Sequence, residues 1–160
     1  MNSMTAPVFV DTNILVYARD AGETAKQPRA AEILRRLWET RAGRVSSQIL
    51  QEYYVTVTRK LRPGLPRADA RADVTAFQAW QPHSPGPATF RRAWEVEDRF
   101  GFSWWDSLVI ASALETGARL LLSEDLQHDQ TISNLRLLNP FHPDFQMADL
   151  PAKPTDPPRR

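Results

Sequence analysis

The sequence predicts an α/β protein built on a short parallel sheet with helices on both of its faces. Two observations carry this. Compact apolar runs, Val8-Phe9-Val10 and Leu120-Leu121-Leu122, are continuous rather than alternating, as strands buried on both faces require, and Leu135 to Leu138 gives a last short strand. Between them lie segments whose apolar residues recur at helical spacing.

Each element has a local reason. Pro7 to Val10 reads as a strand ending at Asp11-Thr12-Asn13, after which Ile14 to Tyr17 start a short helix. From Gln27 to Thr40, the residues Ala30, Ile33, Leu34, Leu37 and Trp38 form one apolar stripe, which predicts an amphipathic helix closed by Gly43. Val45 marks a brief second strand, and Ser46-Ser47 offer N-caps for a helix from Gln48 to Lys60. Pro63, Gly64 and Pro66 break the chain before a helix from Ala68 to Trp80 that carries Val74 and Phe77 inward. A turn from Pro82 to Pro87 leads to a helix over Thr89–Arg99 that Gly101 stops. Ser103 caps an almost wholly apolar helix, Trp104 to Thr116, ended by Gly117. One compact domain over residues 6–147 is expected, and the prolines at 151, 154, 157 and 158 predict a disordered tail over 148–160.

Composition removes several functions. The chain has no cysteine, which excludes disulfides and thiolate zinc sites and fits a reducing, cytoplasmic setting. Met1 to Thr5 lack the basic-then-apolar order of a secretory leader, and no apolar run approaches the ~20 residues of a membrane span. Net charge is +1, so no strong basic field advertises nucleic acid. Glycines at 22, 43, 64, 86, 101 and 117 build neither a GxGxxG nor a phosphate-cradling loop. The histidines at 83, 128 and 142 are scattered through expected loops, and no GxSxG or HExxH is present.

What remains is carboxylate chemistry, whose oxygen ligands select hard cations such as Mg²⁺ or Mn²⁺. Asp11 and Asp125 sit where two expected strands end, the edge at which α/β sheets bind ligands. Asp11 could serve as a helix N-cap, yet Thr12 and Asn13 supply that function too. Glu52 lies one turn into its helix, where a surface contact with Thr56 or Arg59 is the alternative to a functional role. Asp106 completes Ser103-Trp104-Trp105-Asp106, the pattern of a capping box, but an acid in the first turn of a central apolar helix is costly unless it has a partner or a cation. Of Glu124 and Asp125, one is expected to face solvent; Asp129 is a weaker metal candidate and reads first as a surface residue.

Four segments, Phe9 to Tyr17 (FVDTNILVY), Ser47 to Tyr54 (SQILQEYY), Trp105 to Ala113 (WDSLVIASA) and Leu121 to Leu126 (LLSEDL), follow one another between Val8 and about Phe141. Taken together and in that order, they resemble the PIN-domain ribonucleases, in particular the VapC-type toxins of bacterial toxin–antitoxin pairs. The resemblance implies a PIN-like three-layer α/β/α fold around a short central parallel sheet. It implies a metal cluster of Asp11, Glu52, Asp106 and Asp125, with Asn13 and Ser123 as polar neighbours that orient it. Many members carry threonine where Ser123 stands, which keeps the hydroxyl. By the same resemblance the activity is Mg²⁺- or Mn²⁺-dependent hydrolysis of RNA, with arginines near the groove holding flanking phosphates. The implied partners are RNA, a cognate antitoxin and a second copy of the chain. Two other functions compete: a PIN fold that binds RNA or protein without cutting, and an aspartyl-phosphate phosphatase with Asp11 as nucleophile. The second lacks the further Asp two residues on, where Asn13 stands, and has only Lys26, Lys60 and Lys153 to draw on.

Overall fold

In the computed structural model, residues 5–153 are described. The sheet is formed by β1 (Val8–Val10), β2 (Gly43–Arg44), β3 (Leu120–Leu122), β4 (Gln130–Ile132) and β5 (Leu135–Leu138), in the order β2-β1-β3-β5-β4. Around it run α1 (Thr12–Tyr17), α2 (Lys26–Thr40), α3 (Ser47–Val55), α4 (Arg67–Ala76), α5 (Pro87–Phe100) and α6 (Trp104–Glu115). All three residues of β1 are buried. Successive strand side chains point to opposite faces, so both faces of the sheet are covered, as the three-layer expectation requires.

The central strands β2, β1, β3 and β5 pair in parallel, and Val10 stands beside Leu122 at their carboxyl ends. The fifth strand departs from the all-parallel expectation: β4 pairs antiparallel with β5 through a tight turn at Ser133, whose φ is 54°. Gln130-Thr131-Ile132 is too short and polar to show a strand period, and Arg136 crosses the hairpin to Asp129 at 2.6 Å. An edge position needs only one buried face, which Ile132 supplies.

Local corrections have physical causes. Arg41 in the left-handed region (φ 57°) ends α2, rather than Gly43. Gly43 instead lies in β2, where an added Cβ would stand 2.5 Å from the Trp80 ring. Trp80 is buried among Phe77 and Trp38, with ring centroids at 4.9 and 5.0 Å. The helix expected over Gln48–Lys60 divides into α3 and a π-helical turn, Thr56–Lys60, in which the Leu61 N–H donates to the Thr56 carbonyl. The helix expected to reach Trp80 tightens to 3₁₀ geometry at Phe77–Trp80.

Of the tail expected over 148–160, residues 148–153 are described, and part of that stretch is folded onto the domain. Met147–Asp149 form a 3₁₀ turn, Leu150 is buried, and Arg36 donates to the Met147 and Pro151 carbonyls. One apolar residue among the prolines suffices to dock this segment. Residues 154–160, and Met1 to Met4 at the other end, lie outside the described residues. No helix among the described residues is long and apolar enough to cross a membrane.

Candidate metal centre at the carboxyl ends of β1 and β3

The parallel register of β1 and β3 places Asp11 and Ser123 side by side, one residue beyond Val10 and Leu122. The Ser123 hydroxyl donates to Asp11 Oδ2 at 2.8 Å and accepts the Asp125 backbone N–H at 3.2 Å. Asp125 Oδ2 accepts in turn from Asn13 Nδ2 at 3.1 Å. Sequence positions 11, 13, 123 and 125 are thereby joined in one network across the two strand ends.

Asp11 does cap α1, since its Oδ1 accepts the Thr12 N–H at 2.8 Å. The capping alternative is therefore true but incomplete, because the second oxygen is committed to Ser123. Asp11 is 8% exposed. Burial pushes its carboxyl up to about 6, the Ser123 hydroxyl and Thr12 N–H offset part of that, and the charges of Asp125 and Asp106 add to it.

Asp106 enters from the first turn of α6. Half of the anticipated capping box forms: Ser103 Oγ accepts the Asp106 N–H at 3.2 Å. The reciprocal bond from the acid to the Ser103 backbone N–H is not among those made by the described residues. The Asp106 carboxyl is raised chiefly by burial, with the Asp125 charge adding and the Ser103 hydroxyl offsetting. Glu52 comes from the opposite wall on α3. Neither the Thr56 nor the Arg59 side chain bonds to its carboxylate; Thr12 Oγ1 donates to Oε2 at 2.9 Å and Gln48 Nε2 to Oε1 at 3.1 Å.

All four acids line one cleft of about 370 Å³, with Thr12, Asn13, Val16, Tyr17, Gln48, Thr56, Trp105 and Val109 completing its walls. A larger groove, about 740 Å³ between α3, α4 and the loop at 82–84, carries no carboxylate and none of this chemistry. Glu124 turns the other way and pairs with Lys26 at 2.7 Å, so Asp125 alone of that pair faces the cleft. Asp129 is exposed and paired with Arg136, outside the cleft walls. The arginines expected beside the groove are not among its lining residues; Lys60 lines a depression that adjoins it past Glu52 and Thr56.

Sequence reasoning missed Gln48, Tyr17 and Trp105 as cleft residues. Gln48 was findable as the i−4 neighbour of Glu52 on one helix face.

The donors suit a hard divalent cation. They are oxygens throughout, and the carboxyls of Asp11 and Asp106 are raised chiefly by burial, with neighbouring acidic charge adding to it, a cost that a cation relieves. Asn13 Oδ1 is buried beside them without a hydrogen-bond donor. As the side chains lie, no three acidic or histidine groups among the described residues close on one point.

No curated protein sequence matches this chain. Among solved structures, a toxin–antitoxin complex from Klebsiella pneumoniae is similar with a TM-score of 0.61 and 13% identity, covering 84% of this chain and 98% of that one. VapC20 of Mycobacterium tuberculosis, described as a sarcin-ricin loop cleaving toxin, gives 0.55 and 24% over 71% of this chain and 86% of its own. VapBC2 of Rickettsia felis, bound to a promoter DNA fragment, gives 0.51 and 17% over 81% and 96%. At these identities the likeness establishes the fold. The model of the PIN domain matches residues 8–132, from β1 through β4, and the chain belongs to the PIN-domain family.

Proposed function

We propose that this PIN-domain protein is a metal-dependent ribonuclease and the toxin of a type II toxin–antitoxin pair, acting in the cytoplasm. The observation that carries the reading is the convergence of Asp11, Glu52, Asp106 and Asp125 on one cleft at the sheet's carboxyl edge. The toxin assignment is supported by two structural neighbours, one described as a toxin–antitoxin complex and one as a cleaving toxin. On that basis the partners are single-stranded RNA, a cognate antitoxin and a second copy of the chain.

The four carboxylates would hold one or two Mg²⁺ or Mn²⁺ ions. Such an ion supplies Lewis-acid chemistry, lowering the pKa of water and offsetting charge on the phosphoryl oxygens. The protein's own part is orientation. Ser123 fixes Asp11 against β3, Asn13 fixes Asp125, and Thr12 with Gln48 aims Glu52 across the cleft. Side chains held this way need little reorganisation as charge develops.

Asp11 is a poor phosphoryl acceptor here. It is buried, and no lysine lines the cleft. A binding-only role is disfavoured by the completeness of the acidic set. The test is cleavage of single-stranded RNA by purified protein with Mg²⁺ or Mn²⁺. Activity that EDTA abolishes, and that Asp125→Asn lowers at least ~10²-fold, supports the proposal. Cleavage indifferent to EDTA and to Asp125→Asn refutes it.

A further inference from the structure

Trp104 and Trp105 are adjacent in the first turn of α6 and have opposite surroundings. Trp104 packs on Phe90 and Trp94, with ring centroids at 6.0 and 6.5 Å. Trp105 is 61% exposed and, among the described residues, has no aromatic partner. It nevertheless belongs to the cleft, together with Asp106 and Val109 on the same face of the helix. Residues 105 and 109 are one turn apart and lie one above the other, which directs this face at the carboxylates.

An exposed indole there has a clear use. The cleft is lined by four acids and by no lysine or arginine, so it repels a polyanion everywhere except where a cation sits. Within the cleft itself, affinity for RNA beyond the scissile phosphate is left to contacts that do not depend on backbone charge. Base–aromatic stacking is such a contact, because every base offers a π-face. Stacking on one strand's base also requires that base to be unpaired, which favours single strands and loops.

We propose that Trp105 is a substrate-positioning residue whose indole stacks on an unpaired base next to the phosphate being cut. The inference rests on the ribonuclease reading. The stacked base fixes the strand beside Asp106, so Trp105 sets where along an RNA the cut falls without touching the reacting atoms.

The test uses full-length protein carrying Asp11→Asn to stop cleavage, with Mg²⁺, and fluorescence anisotropy of a labelled single-stranded oligonucleotide. Adding Trp105→Ala should raise Kd roughly tenfold or more, while Trp105→Phe keeps most of the affinity. Trp94→Ala removes another exposed indole outside the cleft and should leave Kd unchanged. Single abasic substitutions walked along the RNA should reveal one position where the parent loses affinity and the Trp105→Ala protein loses nothing further. In the cleavage-competent protein, Trp105→Ala should raise KM more than it lowers kcat. Melting temperatures confirm that each variant is folded, as an exposed side chain allows. Equal Kd for parent and Trp105→Ala overturns the proposal while leaving the ribonuclease reading intact. So does a loss of dimer in Trp105→Ala with RNA affinity unchanged, which would assign the indole to a second copy of the chain. Failure of wild-type protein to bind or cut any RNA overturns the ribonuclease reading and this inference with it.

Discussion

Replacing Asp11 by Asn should stabilise the metal-free protein at neutral pH, although it removes a residue at the heart of the site. Burial, reinforced by Asp125 and Asp106, raises the Asp11 carboxyl from the usual 3.8 to about 6. That rise is equivalent to about 3 kcal/mol against the ionised form at pH 7. Between these two values the folded protein binds more protons than the unfolded chain, so stability falls as pH rises through the window from about 4 to 6. Asn carries no charge and escapes this cost. It still accepts the Thr12 N–H but can no longer accept from the Ser123 hydroxyl, which returns about 1–2 kcal/mol. The net gain is about 1–2 kcal/mol, or roughly 2–8 °C for a domain of this size. The assay is thermal melting of both proteins in EDTA at pH 7.5 and pH 4.5. The variant should melt higher at pH 7.5, and the gap should close or reverse at pH 4.5. Mg²⁺ at tenfold excess over its dissociation constant should then stabilise the wild type by about 1.4 kcal/mol and the variant by less. A variant that melts lower at pH 7.5, or a gap equal at the two pH values, refutes the reasoning.

Other consequences are equally open to measurement. Ser123→Ala removes a fully buried hydroxyl that serves Asp11 and Asp125 at once, so stability should fall by about 1–3 kcal/mol in denaturant melts. In the metal-free protein it should also carry the Asp11 titration, followed by carboxyl-carbon NMR, above about 6, because the Ser123 bond is one of the contacts that lowers it. Gly43→Ala drives a methyl into the Trp80 ring at 2.5 Å and should cost about 1–3 kcal/mol, read as a lower midpoint in urea with no change in slope. Lys26→Met should loosen the Glu124 loop beside Asp125, lowering metal affinity while leaving global stability almost unchanged; a large fall in melting temperature would contradict that.

Much of this was legible in the sequence because the fold's signals are local. β1 and β3 are uninterrupted apolar triplets followed by an acid-bearing turn, and each major helix carries its own stripe or cap. What escaped depended on contacts far apart in the chain. Gly43 reads as a helix stop until Trp80, thirty-seven residues away, is seen resting on it. The hairpin strand β4 has one buried residue and is defined by its partner β5 rather than by a pattern of its own. Within the site, Asp11 and Asp125 could be read from strand ends, because the carboxyl edge of a parallel sheet is where side chains converge. Glu52 could not. Its place in the cleft follows from the packing of α3 against α1 and from the hydroxyl of Thr12, neither of which helical spacing encodes. Trp105 was hidden by its neighbour, since two adjacent tryptophans in an apolar helix both read as core.

The carboxylate site is tested most directly by calorimetric titration of the metal-free protein with Mn²⁺ at pH 7.5, beside Asp106→Asn, Asp125→Asn and Glu52→Gln. Wild-type protein should bind the ion saturably, and each variant should bind roughly tenfold or more weakly, a loss of about 1.4 kcal/mol. Absence of saturable binding by the wild type, or the same affinity in all four proteins, would contradict a metal centre in this cleft.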